Sequence, residues 1–169
     1  MNLKNLLAAI VAMAVCSGLI NVVNAADLTE INGVNEIWSG RYEGQLDWTH
    51  QPRLLEQTNV VEGRIGTSFG VFFSLQTEPQ DAKGIVRLSY KTIFPEPGML
   101  NTRTGTYSRV VEGVTECILG RACLAGYNID ASEEVIPGEW SLVVSFRGKE
   151  LLTKKFVIKS SVSQGNTGS

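Results

Sequence analysis

Histidine is nearly absent from this chain: His50 stands alone beside Gln51 and Pro52. A metal site built from imidazoles, or a nucleophile activated by a histidine that a third group orients, would have to rest on that one side chain. No catalytic residue and no metal ligand is therefore assigned. Runs of basic residues are also missing, and the formal net charge is −2. Nucleic-acid binding, which needs a basic face to meet the phosphates, has no electrostatic footing. No segment carries apolar residues at helical spacing, so a helical bundle is excluded. The glycines of GRIGTSFG (residues 63–70) lead from a loop into a strand rather than into a helix, so no phosphate cradle is expected there, and no cofactor is assigned. Paired acids such as Glu133-Glu134 are ordinary solvated carboxylates.

The one long hydrophobic run lies at the start. MNLKNLLAAIVAMAVCSGLINVVNA has a basic residue, Lys4, then an uncharged apolar stretch from Leu6 to Ile20, and ends in Val23-Asn24-Ala25. That is the layout of a secretory signal peptide cleaved after Ala25. The stretch is short of the roughly 20 residues that span a bilayer, although an uncleaved anchor remains the alternative. Val15 before Cys16 argues against lipoprotein processing. The mature protein is expected in the periplasm or secreted, with an N-terminal extension at 26–35, one domain at 36–159 and a disordered tail at 160–169, where SSVSQGNTGS offers almost nothing to bury.

Within the domain the period is two. EIWSGRYEGQLDW sets Trp38, Tyr42, Leu46 and Trp48 on one parity, with a bulge or bend suggested at Gly40 and Gly44. GTSFGVFFSLQT and IVRLSYKTIF read as strands with one buried face, and LLEQTNVVEG is assigned to a strand for its β-branched residues. GEWSLVVSFRGKELLTKKFVIK predicts a β-hairpin: Trp140, Leu142, Val144 and Phe146 face one way, Arg147-Gly148-Lys149 turn, and Leu152, Phe156 and Ile158 return. About seven strands predict an all-β, antiparallel two-sheet sandwich of immunoglobulin-like type, with a closed barrel as the alternative.

Two stretches carry candidate sites. In TECILGRACLAGY, Cys117 and Cys123 have neither the partners for zinc nor the spacing of a redox pair. In an exported protein two remaining cysteines most often join, so a structural disulfide is expected, with free thiols or an intermolecular bond as the alternative. Its tip would be Leu119-Gly120-Arg121. In TIFPEPGMLNTRTGT, prolines end the strand and set a turn, leaving Phe94, Pro95, Pro97, Met99, Leu100 and Arg103 as a candidate interaction loop. Met99 and Leu100 either fold back onto the sandwich or form a small apolar patch with a basic rim.

Gly66-Thr67-Ser68-Phe69-Gly70, Phe94-Pro95-Glu96-Pro97-Gly98, Asn101, Thr104-Gly105, Tyr127, Asp130, Ile136-Pro137-Gly138-Glu139-Trp140, Gly148 and Phe156-Val157 together resemble the domain of unknown function 3859 family. The resemblance spans residues 36–158. It implies a small exported bacterial immunoglobulin-like sandwich with no assigned activity, and it transfers no catalytic residue. The expected function is thus a non-catalytic binding module contacting another cell-envelope protein through the 94–105 loop or a strand edge. A protease inhibitor or hydrolase accessory protein acting through an exposed loop is the alternative. Oligomeric state is left open.

Overall fold

A computed structural model of the protein describes residues 29–46 and 52–160. The signal segment, Trp48, His50 and the tail beyond Ser160 lie outside the described residues. Eleven strands follow one another: β1 (Glu30–Tyr42), β2 (Leu54–Glu56), β3 (Val60–Gly63), β4 (Thr67–Glu78), β5 (Ile85–Ile93), β6 (Met99–Asn101), β7 (Thr106–Ser108), β8 (Val110–Ile118), β9 (Ala122–Ile129), β10 (Gly138–Phe146) and β11 (Lys149–Ser160). They form a four-stranded sheet ordered β2-β1-β4-β9, a five-stranded sheet ordered β3-β11-β10-β5-β8, and a β6-β7 ribbon. The all-β expectation holds, but the strand and sheet counts exceed about seven strands in two sheets. Four of the strands have only three or four residues. One pairing, β3 with β11, is parallel. The 54–63 segment is two strands that belong to different sheets, because the chain crosses between sheets at Gln57–Asn59.

The expected β10–β11 hairpin forms, with Trp140 opposite Phe156 and Gly138 opposite Ile158, and with Lys149, expected in the turn, paired with Phe146. Its turn needs only Arg147 and Gly148, both with positive φ (49° and 81°). This is the twist that suits a two-residue connection between right-twisted strands. Residues 30–35, assigned above to an extension ahead of the domain, are instead paired with β4.

Two apolar clusters fill the space between the sheets. One gathers Val71, Phe73, Leu88 and Val144 with both cysteines, and the other gathers Phe69, Phe94, Ile129, Trp140 and Phe156. A third, of Tyr42, Phe72 and Leu124 with Trp38, Leu46 and Leu54 against it, covers the outer face of the four-stranded sheet. β4 is therefore buried on both faces from Thr67 to Phe73, not on one. Trp38 and Tyr42 share a side as their parity implies, but that side is the outer one. The register shift between Glu36 and Trp38, upstream of the expected bend, puts Trp38 on the outer face although Val34, of the same parity, packs against the first inter-sheet cluster.

The outer cluster is possible because Gly40, Gly70 and Gly126 form a row across β1, β4 and β9. A Cβ at Gly70 would stand 2.7 Å from the Gly126 Cα, so no side chain fits where these backbones crowd. Leu46 lies over Gly126, held by its N–H donating to Asn128 Oδ1 (2.9 Å). Between the sheets on the opposite flank, Lys154 Nζ of β11 pairs with Glu36 Oε1 of β1 at 2.7 Å. Burial alone would raise the Glu36 pKa; hydrogen bonds from Lys154 and Ser39 and the charge of Lys154 outweigh it and hold the carboxyl below the usual range.

Candidate interaction surfaces

The 94–109 segment is rooted in the core and free at its tip. The Phe94 ring is 1% exposed, edge-on to Trp140 (centroids 4.5 Å apart) and Tyr127 (5.8 Å). Phe94 therefore anchors the loop and presents nothing to a partner, which corrects its place among the candidate interaction residues. Pro95 is half-buried beside Gly138, and Pro97 is exposed. Phe94 N–H donates to the Arg109 carbonyl (2.8 Å), and Arg109 Nη1 reaches Glu96 Oε1 at 3.0 Å, closing the base of the loop.

β6 and β7 then pair, with Met99 opposite Ser108 and Asn101 opposite Thr106. Asn101 organises the turn: its Oδ1 accepts from the N–H groups of Arg103 (3.0 Å) and Thr104 (3.2 Å), and its carbonyl accepts from Gly105 (2.8 Å). An asparagine that satisfies its own turn is the chemistry that shapes such a loop. Met99 is half-buried against the second inter-sheet cluster, with its Sδ 3.9 Å from the Tyr127 hydroxyl. Leu100 is also half-buried, whereas residues 101–110 are all exposed, with Arg103 at the tip and Tyr107 at 57%. Met99→Ser should destabilise the fold by about 1–2 kcal/mol. Thermal melts should show a drop of several degrees for Met99→Ser and none for Arg103→Ser; equal melts would place Met99 outside the core.

Burial raises the Tyr127 pKa, and the charge and hydrogen bond of Glu134, with Asp130 and Tyr90, add to the rise. Burial and then the charge of Glu36 push Tyr42 up to about 12, against a weaker opposing contact from Trp38. Neither phenol ionises near neutral pH, so both act as packing groups. Among the described residues no three His, Cys, Asp or Glu side chains gather as a metal cluster, and no helix is long and apolar enough to cross a membrane.

Cys117 and Cys123 are bonded to each other, with Cα atoms 5.6 Å apart. Cys117 lies on the edge strand of the five-stranded sheet and Cys123 on the edge strand of the four-stranded one. The bond thus ties one sheet to the other at the flank of the sandwich. Of the expected tip, Gly120 and Arg121 are exposed, but Leu119 is 3% exposed within the first core cluster and its N–H donates to the Gly84 carbonyl (2.9 Å). Tyr107 and the outward face of β8 belong to no motif. For β8 the available signal was the alternation VVEGVTECI, which sets Val110, Val114 and Ile118 on the exposed side.

The two main sheets and their inter-sheet staple define an all-β sandwich. The chain matches the family described as "Domain of unknown function (DUF3859)" over residues 39–158, and it belongs to that family. Its fold is similar to that of an immunoglobulin-like protein (PA1606) from Pseudomonas aeruginosa, with a TM-score of 0.57 and 22% sequence identity. That likeness covers 78% of this chain and 96% of the other. No curated protein matches the chain.

Proposed function

We propose that the protein is an exported, non-catalytic binding module of the cell envelope that engages another envelope protein through the β6–β7 ribbon. The observation that carries this reading is the ribbon's construction. Its root is locked by Phe94, Met99 and the Arg109–Glu96 pair, its turn is braced by Asn101, and its outer residues are exposed. A rigid element loses little entropy on binding, and tyrosine and arginine are the residue types that most often carry binding energy. The Cys117–Cys123 bond supports export, since cytosolic thiols are kept reduced. The same ribbon would serve an inhibitor of an envelope hydrolase, and the identity of the partner separates the two.

The test is photo-crosslinking in intact cells from a reactive residue placed at Arg103 or Tyr107, with the exposed Lys149 at the far hairpin as the control position. A discrete adduct from the ribbon positions alone is expected. The same adducts from all three positions, or none from the ribbon, would remove the ribbon as the binding element.

A further inference from the structure

We infer that β8 is a self-complementary edge through which two copies of this chain pair antiparallel, joining their five-stranded sheets into one, whatever the ribbon binds. Among the outer strands, β2 and β3 have three and four residues. β9 carries Leu46 over Gly126, bonded to Asn128. β8 differs from all three: it runs nine residues, pairs with β5 without a register shift, and contains neither proline nor lysine. Those are the devices by which natural edges avoid being paired.

Its hydrogen-bonding groups point the required way. Phe94 N–H bonds to the Arg109 carbonyl and Leu119 N–H to the Gly84 carbonyl, one at each end of the β5–β8 ladder. In an antiparallel pair the inward and outward groups alternate, so the odd residues of β8 bond to β5 and the even ones, Val110 to Ile118, turn their N–H and C=O groups outward. The ends are already capped. The Val110 carbonyl accepts from Ser108 Oγ (2.9 Å) and the Ile118 carbonyl from Arg121 N–H (3.0 Å).

The sequence of β8 reads nearly the same in both directions about Val114: valine or isoleucine at 110 and 118, glutamate at 112 and 116. A two-fold axis there sets Val114 against its own copy and Val110 against the second copy's Ile118. On the outer face this continues two apolar rows, since Ile85 lies beside Ile118 and Ile93 beside Val110 in each chain. Glu112 meets the second copy's Glu116, but each carboxylate already has a cation on its inner side: Lys91 Nζ is 2.6 Å from Glu112 and Arg87 Nε 3.1 Å from Glu116. Centring the axis one residue away would set valine against glutamate, and centring it two away would shorten the ladder. The exposure of the three apolar residues, 40% at Val110, 62% at Val114 and 46% at Ile118, gives this edge apolar surface to cover.

Sedimentation equilibrium of the purified protein from about 1 μM to about 1 mM should show the mass doubling with concentration. Val114→Lys, at an exposed position that leaves the monomer's core intact, should return the monomer mass, with the wild-type melting temperature at the low concentration where the wild type is itself monomeric. Amide exchange in the wild-type protein supplies a readout that needs no variant. The outward amides of Glu112, Val114 and Glu116 should exchange about 10-fold more slowly at high concentration than at low, the limit that the falling monomer fraction sets. The inward amides of Thr115 and Cys117, bonded to β5 in either state, serve as the internal reference. A single monomer mass throughout, an association that Val114→Lys leaves intact, or a dimer in which those three amides exchange freely would each overturn the inference.

Discussion

Trp140→Ala should remove about 3–5 kcal/mol of folding free energy, a large share of the 5–15 kcal/mol that holds a domain of this kind together. The indole is 0% exposed and meets Phe94, Tyr127 and Phe69 at centroid distances of 4.5, 5.2 and 5.6 Å, each ring edge-on to it. Edge-on aromatic pairs add to the area they bury, so truncation loses those contacts and opens a void between rigid rings that cannot close it. It also leaves the Ile136 carbonyl without the Nε1–H that donates to it at 2.8 Å. Trp140→Phe keeps a ring in place and should cost markedly less. Urea unfolding followed by circular dichroism, which does not depend on the deleted fluorophore, measures both. A loss below about 1 kcal/mol for the alanine variant would mean that the site collapses and that the aromatic cluster is not the rigid centre of the fold.

How much of this was legible depends on which interactions dictate each element. The 138–160 hairpin was readable because local chemistry decides it: alternation fixes the two faces, and Arg147-Gly148 supplies the two positive-φ residues of the turn. The face assignment of β1 was not, because its two register shifts are set by pairing with β4, more than thirty residues away in the chain. The all-buried run of β4 was read as one-faced for a related reason. What covers its outer side is Trp38, Leu46 and Leu54, and Leu46 can lie there only because three distant glycines fall in one row. The LLEQTNVVEG segment has uniform β character, and nothing local marks the crossing between sheets at its centre.

The candidate site divides along the same line. The prolines and the Asn101 turn of the 94–105 loop are local signals, and the loop is where they put it. Which of its apolar residues face solvent is a tertiary matter. Phe94 is captured by Trp140 and Met99 by the second core cluster, while Tyr107, two residues past the proposed segment and outside any motif, is the aromatic left exposed. Cysteine count and expected export identified Cys117 and Cys123 as a pair, but not that one lies in each sheet. With Leu119 drawn into the core, the bond reads as a clamp on the flank of the sandwich rather than as the support of a displayed tip.

That placement fixes what breaking the disulfide should do. The closed loop is short, Cys117 and Cys123 being six positions apart, and the chain-entropy relation gives about 2 kcal/mol for it. Reduction should therefore lower the melting temperature by roughly 5–10 °C without unfolding the domain, since Phe69, Trp140 and Phe156 pack in a separate cluster that does not touch the bond. The reduced thiols would stay in place as small apolar groups, at 2% and 6% exposure. Replacing both cysteines by serine should cost more than reduction does, because two hydroxyls would then be buried in the cluster of Val71, Phe73 and Leu88. The ordering wild type, reduced, double serine is the discriminating result. If reduced protein and the serine variant were equally weakened, the sulfurs would not lie in the core. If reduction left the melt unchanged, the bond would be absent from the protein as made. Thiol titration of the denatured, unreduced exported form decides that last point directly: no free thiol is expected, one would report Cys16 retained on an uncleaved anchor, and two with Cys16 gone would mean that the clamp never closes.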